Sequence, residues 1–308
     1  MGYDFELDRV KRELTAMGAK SCMVQLPEGL KQFGPQIAGE LEKAGFRAVI
    51  SLERCFGACD VLRGGYDATL HYAHAPYARK EPKTVYVELR QEADAGRIAD
   101  SAEHKLRAKN VGLVTTIQFL NVLPKLKQEL EKRGFAVEVG KRGHYTYYDG
   151  QVLGCDFFAA TNCKKAQEFI YVGSGRFHPI GVAEKTGKRV VQVNPNDDYK
   201  AQEFASGIWE KEKWLRISKA SDARSWGIVL CSKKGQRNVH AADNAKRWLE
   251  EKGRKATLLE LNDIIPQALE YAPFDAFVIT ACPRIVLDDW KNYKKPVLLA
   301  EEIKELLS

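Results

Sequence analysis

Hydrophobic and polar positions along the chain follow one pattern three times over. Each occurrence reads as an apolar strand, an amphipathic helix closing on Leu-Glu-x-x-Gly, a second strand, and then a cysteine in a short turn-rich segment. The helix ends are Leu41-Glu42-Lys43-Ala44-Gly45, Leu130-Glu131-Lys132-Arg133-Gly134 and Leu249-Glu250-Glu251-Lys252-Gly253. The β-rich runs that follow them are residues 46–52, 135–139 and 255–261, and the cysteines are Cys59, Cys155 and Cys282.

Around this frame the periodicity predicts further elements. The first unit has a strand at 21–26, a helix from about 29 to 43, and strands at 68–72 and 84–89 beyond the cysteine loop. The second has a strand at 111–116, a helix at 121–133, and strands at 168–172 and 189–193. The third has a strand at 227–231, helices at 239–252 and 264–271, and strands at 274–280 and 297–300. Strands alternating with helices of this length predict parallel sheets joined by right-handed crossovers. The fold class is therefore α/β, with three repeated α/β domains expected at 1–107, 108–218 and 219–308. The charged segments 92–109 and 199–225 are not rich in Gly, Ser or Pro, so they read as linking helices and not as flexible tethers.

The composition is that of an ordinary water-soluble protein. A chain of 308 residues with 44% hydrophobic content is long enough for two or three cores. No apolar run approaches the ~18 residues a membrane span requires. Met1-Gly2-Tyr3-Asp4-Phe5-Glu6 is acidic, lacks the apolar stretch of a signal peptide and spoils a myristoylation match at Glu6, so a cytoplasmic location is expected. The net charge of +7 is mild and is spread over helices such as 125–133 and 246–252, as solvated faces are. No aromatic-basic module is visible, so no direct nucleic-acid partner is expected.

Seven cysteines are an odd number in a long chain, which favours thiols over a disulfide scaffold. Cys22 and Cys231 occupy first-strand positions and read as small core residues. Cys55 and Cys59 form a C-x3-C pair, half of a zinc site, but no second pair of matching spacing completes it. Cys59, Cys155 and Cys282 each lie in or beside a turn, in Gly57-Ala58-Cys59-Asp60, Leu153-Gly154-Cys155-Asp156 and Thr280-Ala281-Cys282-Pro283. Loops at strand ends are where α/β sheets gather ligands. Three equivalent domains can present three thiols to one central point, and an iron-sulfur cluster with one open iron needs three thiolates. The loop signature C-x3-C-x2-C is absent, so such a cluster must draw its ligands from separate domains.

Cys163, in Thr161-Asn162-Cys163-Lys164-Lys165, reads as the start of a polar helix capped by Asn162, where a thiol would be acidified without being a ligand. Gly173-Ser174-Gly175-Arg176-Phe177-His178 follows a strand and would allow close backbone approach to a ligand. It lacks the third glycine of the dinucleotide fingerprint, and Pro179 argues against a helix starting immediately. In Leu70-His71-Tyr72-Ala73-His74 a regular strand would put His71 on one face and Tyr72 with His74 on the other, unless a nearby loop upsets the alternation.

Taken together, these segments resemble the diphthamide-biosynthesis family of 2-(3-amino-3-carboxypropyl)histidine synthases, in its archaeal form. The resemblance rests on Glu53-Arg54-Cys55-Phe56-Gly57-Ala58-Cys59-Asp60, Leu70-His71-Tyr72-Ala73-His74, Gly150-Gln151-Val152-Leu153-Gly154-Cys155, Gly173-Ser174-Gly175-Arg176-Phe177-His178 and Ala281-Cys282-Pro283-Arg284. It runs in order from Gln25-Leu26-Pro27-Glu28-Gly29-Leu30 to Pro296-Val297-Leu298. Ala75-Pro76 departs from the small polar residue or cysteine usual there in the family.

The resemblance implies that Cys59, Cys155 and Cys282 ligate a 4Fe-4S cluster whose fourth iron takes the methionyl part of S-adenosylmethionine. It implies cofactor contacts from Pro27, Glu28, Gly29, Gly173, Ser174, Gly175, Phe177, His178 and Arg284. Arg284 is the candidate clamp for the cofactor carboxylate, because a guanidinium offers paired charge-assisted hydrogen bonds. His71, Tyr72, His74 and Gln236 are the candidates for orienting the substrate. The implied partner is translation elongation factor 2, whose histidine receives the aminocarboxypropyl group, with release of methylthioadenosine. A homodimer and an external electron donor are also expected. Quinolinate synthase, likewise three-fold repeated with one cysteine per domain, is the nearest competing family, and a non-catalytic supporting subunit is the alternative from another class.

Overall fold

The computed structural model describes residues 3–62 and 64–307. The chain forms two compact units, 1–204 and 205–308. The first contains two sheets and the second contains one.

In the first sheet the strands are β1 (Ser21–Gln25), β2 (Arg47–Ile50), β3 (Ala68–Tyr72) and β4 (Thr84–Val87), in the order β2-β1-β3-β4 and all parallel. The second sheet has β5 (Asn110–Thr115), β6 (Ala136–Val139), β7 (Glu168–Val172), β8 (Val190–Asn194) and β9 (Lys200–Phe204). Its order is β6-β5-β7-β8-β9, parallel except for β9. The second unit repeats the first order, with β10 (Ser225–Cys231), β11 (Lys255–Leu261), β12 (Ala276–Ile279) and β13 (Val297–Leu299) arranged β11-β10-β12-β13. The three-fold repeat of parallel α/β units is thus realised.

The Leu-Glu-x-x-Gly signature has a structural cause. Gly45, Gly134 and Gly253 adopt φ of 88°, 81° and 71°, a left-handed conformation in which a Cβ is penalised. In each case the residue after the glycine donates its N–H back to the leucine carbonyl: Phe46 to Leu41, Phe135 to Leu130 and Arg254 to Leu249. This is the six-to-one bond of a Schellman helix stop. The three leucines are fully buried beneath it. A second device is also repeated. Asp67 accepts hydrogen bonds from the backbone of Lys20 and Ser21, Asp275 from Arg224 and Ser225, and Glu168 from Arg107 and Ala108. In every sheet a carboxylate at the start of the third strand in chain order pins the entry to the first.

Three expectations change. The helices expected from 29 and 121 begin as 3-10 turns, Glu28–Phe33 and Ile117–Val122, before Gly34–Lys43 and Leu123–Lys132, with a proline in the first turn of each α-helix. Residues 199–225 are not one linking helix: Lys200–Phe204 is the antiparallel edge strand β9, and the helix is Ile208–Ala220. The helix Phe177–Thr186 does start at once after the glycine loop. Pro179 sits in its first turn, where a missing N–H costs no hydrogen bond.

Candidate functional site

In a parallel sheet every strand delivers its following loop to the same edge, where ligands collect. In the first unit the C-terminal ends of β1, β2 and β3 carry Pro27-Glu28-Gly29, the Cys59 loop and His74, while in the second sheet β6 and β7 carry the Cys155 loop and Gly173-Ser174-Gly175. In the second unit β10 leads to Gln236 and β12 to Cys282 and Arg284.

Cys59 occupies a single 3-10 turn, Ala58–Asp60. Its neighbour Asp60 holds the turn: the carboxylate accepts from the Phe56 N–H at 2.7 Å, and the Asp60 carbonyl accepts from Gln25 Nε2 at 2.7 Å. Cys155 stands at the tip of a tight two-residue reversal closed by paired backbone bonds between Leu153 and Asp156, at 2.9 and 3.0 Å. Again the aspartate after the cysteine is the anchor, accepting from the N–H groups of Tyr145, Thr146 and Phe158. A Cβ at Gly154 would lie 2.8 Å from the Phe177 ring, so that ring packs directly on the reversal. Phe177 is therefore buried beneath the Cys155 turn.

The tyrosine Tyr77 was not among the candidates read from the sequence. Its hydroxyl lies 3.9 Å from Cys155 Sγ, and its ring stacks on Tyr145 with centroids 4.8 Å apart and 8° between planes. Burial first, and then the neighbouring Cys155 and Cys59, push the phenol well above its ordinary range.

His71, His74 and Cys55 bring their ligand atoms within 4.8 Å of one another. The alternation breaks because Ala73 turns left-handed, with φ of 66°, which carries His74 round to the His71 face. Gln25 fixes the tautomers. Its Nε2 donates to Asp60 O and its Oε1 accepts from Leu62 N–H, so the amide orientation is set by two backbone groups and His71 Nδ1, at 2.9 Å from Oε1, must donate. His71 Nε2 is then the acceptor for His74 Nδ1–H at 3.1 Å. Burial pulls His71 well below the usual histidine range, with His74 adding to it, and pulls His74 down to about 4 against the opposing Tyr72 carbonyl. A closed structural zinc site needs four ligands, and only these three donors converge among the described residues. A neutral, mutually hydrogen-bonded pair that braces the loop around Cys55 accounts for the geometry.

Tyr72 departs from its expected role. It is fully buried in the core of the first sheet, edge-on to Phe5, because it is the last regular residue of β3 and points away from His71. The glycine loop is exposed at Ser174 and Gly175, and its shape is fixed by Gln192 Nε2, which donates to the carbonyls of both Gly173 and Gly175 at 2.7 Å. His178 stacks on Tyr171 with centroids 6.1 Å apart. A side chain at Gly175 would meet no atom, so the φ of 75° is what requires glycine there. Glu28 is exposed and paired with Lys31 at 2.7 Å. Gln236 lies in a turn closed by its N–H to the Lys233 carbonyl. Arg284 is exposed and pairs with Asp288 at 3.0 Å, one helical turn on.

Cys163 also differs from expectation. It follows the short helix Phe158–Thr161, with Asn162 at that helix's C-terminal end. Its thiol is buried, bonds back to the Ala159 carbonyl and is pushed up to about 11 by burial. The acidified, reactive thiol expected there is not formed. The burial of all seven cysteines is decisive: Cys22, Cys55, Cys163 and Cys231 are at most 3% exposed, whereas Cys59 and Cys282 are half-buried and Cys155 is exposed. None forms a disulfide.

The fold and these loops define a three-sheet α/β protein with one accessible thiol loop per sheet. The chain belongs to the family described as "Putative diphthamide synthesis protein", which it matches over residues 26–308. It is 32% identical to the 2-(3-amino-3-carboxypropyl)histidine synthase of Pyrococcus horikoshii over 100% of this chain and 91% of that protein. To the protein of the same name from Methanocaldococcus jannaschii it is 30% identical, over 99% and 90%. The crystal structure of Dph2 from Pyrococcus horikoshii with a 4Fe-4S cluster superposes with a TM-score of 0.90 at 31% identity, covering 99% of this chain and 92% of that one. Family membership removes the quinolinate-synthase alternative.

Proposed function

We propose that this chain is a 2-(3-amino-3-carboxypropyl)histidine synthase that moves the 3-amino-3-carboxypropyl group of S-adenosylmethionine to C2 of a histidine imidazole on translation elongation factor 2, releasing methylthioadenosine. The observation that carries the reading is the selective accessibility of Cys59, Cys155 and Cys282 among seven cysteines, one on the ligand-gathering edge of each sheet. Three accessible thiols suit a 4Fe-4S cluster with one open iron. Such a cluster supplies, when bound, an electron and an iron site for the methionyl part of the cofactor.

The chain's own residues hold and orient. Asp60 and Asp156 fix the turns that present Cys59 and Cys155. The exposed backbone at Ser174-Gly175 and at Glu28-Gly29 offers close approach to the cofactor. Arg284 releases Asp288 to clamp the cofactor carboxylate, an exchange between two carboxylates of equal charge. His71 and His74, neutral and interlocked, hold the Cys55–Cys59 loop. We infer a self-sufficient homodimer, a reading compatible with the plain enzyme name, without a subunit number, of the two archaeal relatives.

Anaerobic purification and reconstitution test the reading. Brown protein carrying four irons per chain as the cluster requires, and methylthioadenosine formed with reductant and elongation factor 2, are expected. A mononuclear zinc site as the sole metal would overturn it.

A further inference from the structure

We propose that Tyr77 is a positioning residue of the cluster site: its hydroxyl donates a hydrogen bond to the Cys155 sulfur and raises the potential at which the bound cluster accepts an electron. The inference rests on the proposed ligation by Cys155. The hydroxyl and the sulfur are 3.9 Å apart, and on distance alone either could be the donor. A cysteine that ligates iron has lost its proton, so only the phenol can give one.

The contact is built, not incidental. Tyr77 and Cys155 are separated by 78 positions, yet a closed circuit of contacts ties them together. The Tyr77 ring lies flat on Tyr145. The next residue, Ala78, donates its N–H to the Tyr145 carbonyl at 2.9 Å. Tyr145 in turn donates its N–H to the Asp156 carboxylate at 2.7 Å, and Asp156 closes the reversal that carries Cys155. The loop of the first sheet and the loop of the second are thereby registered against each other at the sulfur, and the phenol is held in place by the same aspartate that shapes the thiol turn.

Reduction adds negative charge that spreads onto the cluster sulfurs and their thiolate ligands. A donor aimed at one of those sulfurs stabilises the reduced state more than the oxidised one, and hydrogen bonds to sulfur are among the factors that set cluster potentials. Losing the hydroxyl should therefore make the cluster harder to reduce, without altering its assembly.

The test uses the full-length reconstituted protein and potentiometric titration followed by electron paramagnetic resonance. Tyr77→Phe keeps the ring and its stack while removing only the O–H. It should load iron as the wild type does and show a midpoint potential displaced to more negative values. Methylthioadenosine formation should slow with a weak reductant and recover with a strong one. Tyr145→Phe, which preserves the stack from the other side, should leave the potential at the wild-type value. A fully loaded Tyr77→Phe protein with an unchanged potential overturns the inference alone, as does an equal displacement in both variants. Wild-type protein that takes up no cluster overturns the underlying ligation and this inference with it.

Discussion

At the scale of single residues, accessibility separates thiols that sequence context leaves close together. Cys155 and Cys163 lie eight positions apart, one at the exposed tip of a reversal and the other buried, with its proton held by burial. Cys155→Ala should abolish cluster assembly and methylthioadenosine formation, whereas Cys163→Ala should retain both. Native alkylation should label Cys155 quickly and Cys163 only on unfolding. The reverse pattern of labelling and loss would show that the middle ligand had been misplaced. The cysteine loops were legible because each sits beside a turn after a strand. The Tyr77 contact was not, since a side-chain approach across two sheets leaves no local pattern. The fate of His74 was half legible: alternation predicts the wrong face for it, and only the left-handed Ala73, an ordinary alanine in sequence, corrects that.

At the scale of elements, the repeated signature is a set of helix stops, and these make quantitative demands. Replacing Gly134 by Ala forces a Cβ into the left-handed region at φ 81° and should cost about 1 kcal/mol, read as a lower urea midpoint with an unchanged slope. The same change at Gly39, inside the helix Gly34–Lys43 and with open space around its Cβ position, should stabilise instead, which separates conformation from composition. The carboxylate pins make a pH prediction. Asp67 is held below its ordinary value of 3.8, mainly by the Lys20 N–H and then by the hydroxyl and N–H of Ser21. The unfolded chain therefore binds this proton more readily, so the stabilisation is present above 3.8 and is lost as the pH falls through the lower folded value. Asp67→Asn cannot take up that proton. Its stability deficit against wild type at about pH 6 should shrink towards about pH 3, and a constant deficit in chemical denaturation would show that charge is not the source. Core strands were readable because buried parallel strands are nearly continuous apolar runs. The edge strand β9 reads exposed, half-buried, exposed, exposed, buried along its length, a polar pattern that its pairing with β8 creates and that no hydrophobic period announces.

At the scale of the whole molecule, the proposed ligands divide between the two compact units, with Cys59 and Cys155 in one and Cys282 in the other. Binding free energy for a metal group is also folding free energy for the segments that hold it. Cluster loading should therefore raise the thermal stability of both units together, and chelation should return the protein to its lower apo value. Cys282 is half-buried on the loop after β12 and lies outside the apolar core of its unit, so Cys282→Ala should melt like the apo wild type. What it should lose is the increment on reconstitution, in both units at once, although Cys59 and Cys155 remain intact. Differential scanning calorimetry of loaded and apo protein, wild type and variant, reads this directly. An increment that persists undiminished in Cys282→Ala would mean that the first unit holds its metal alone, and that the third thiol loop serves some purpose other than ligation.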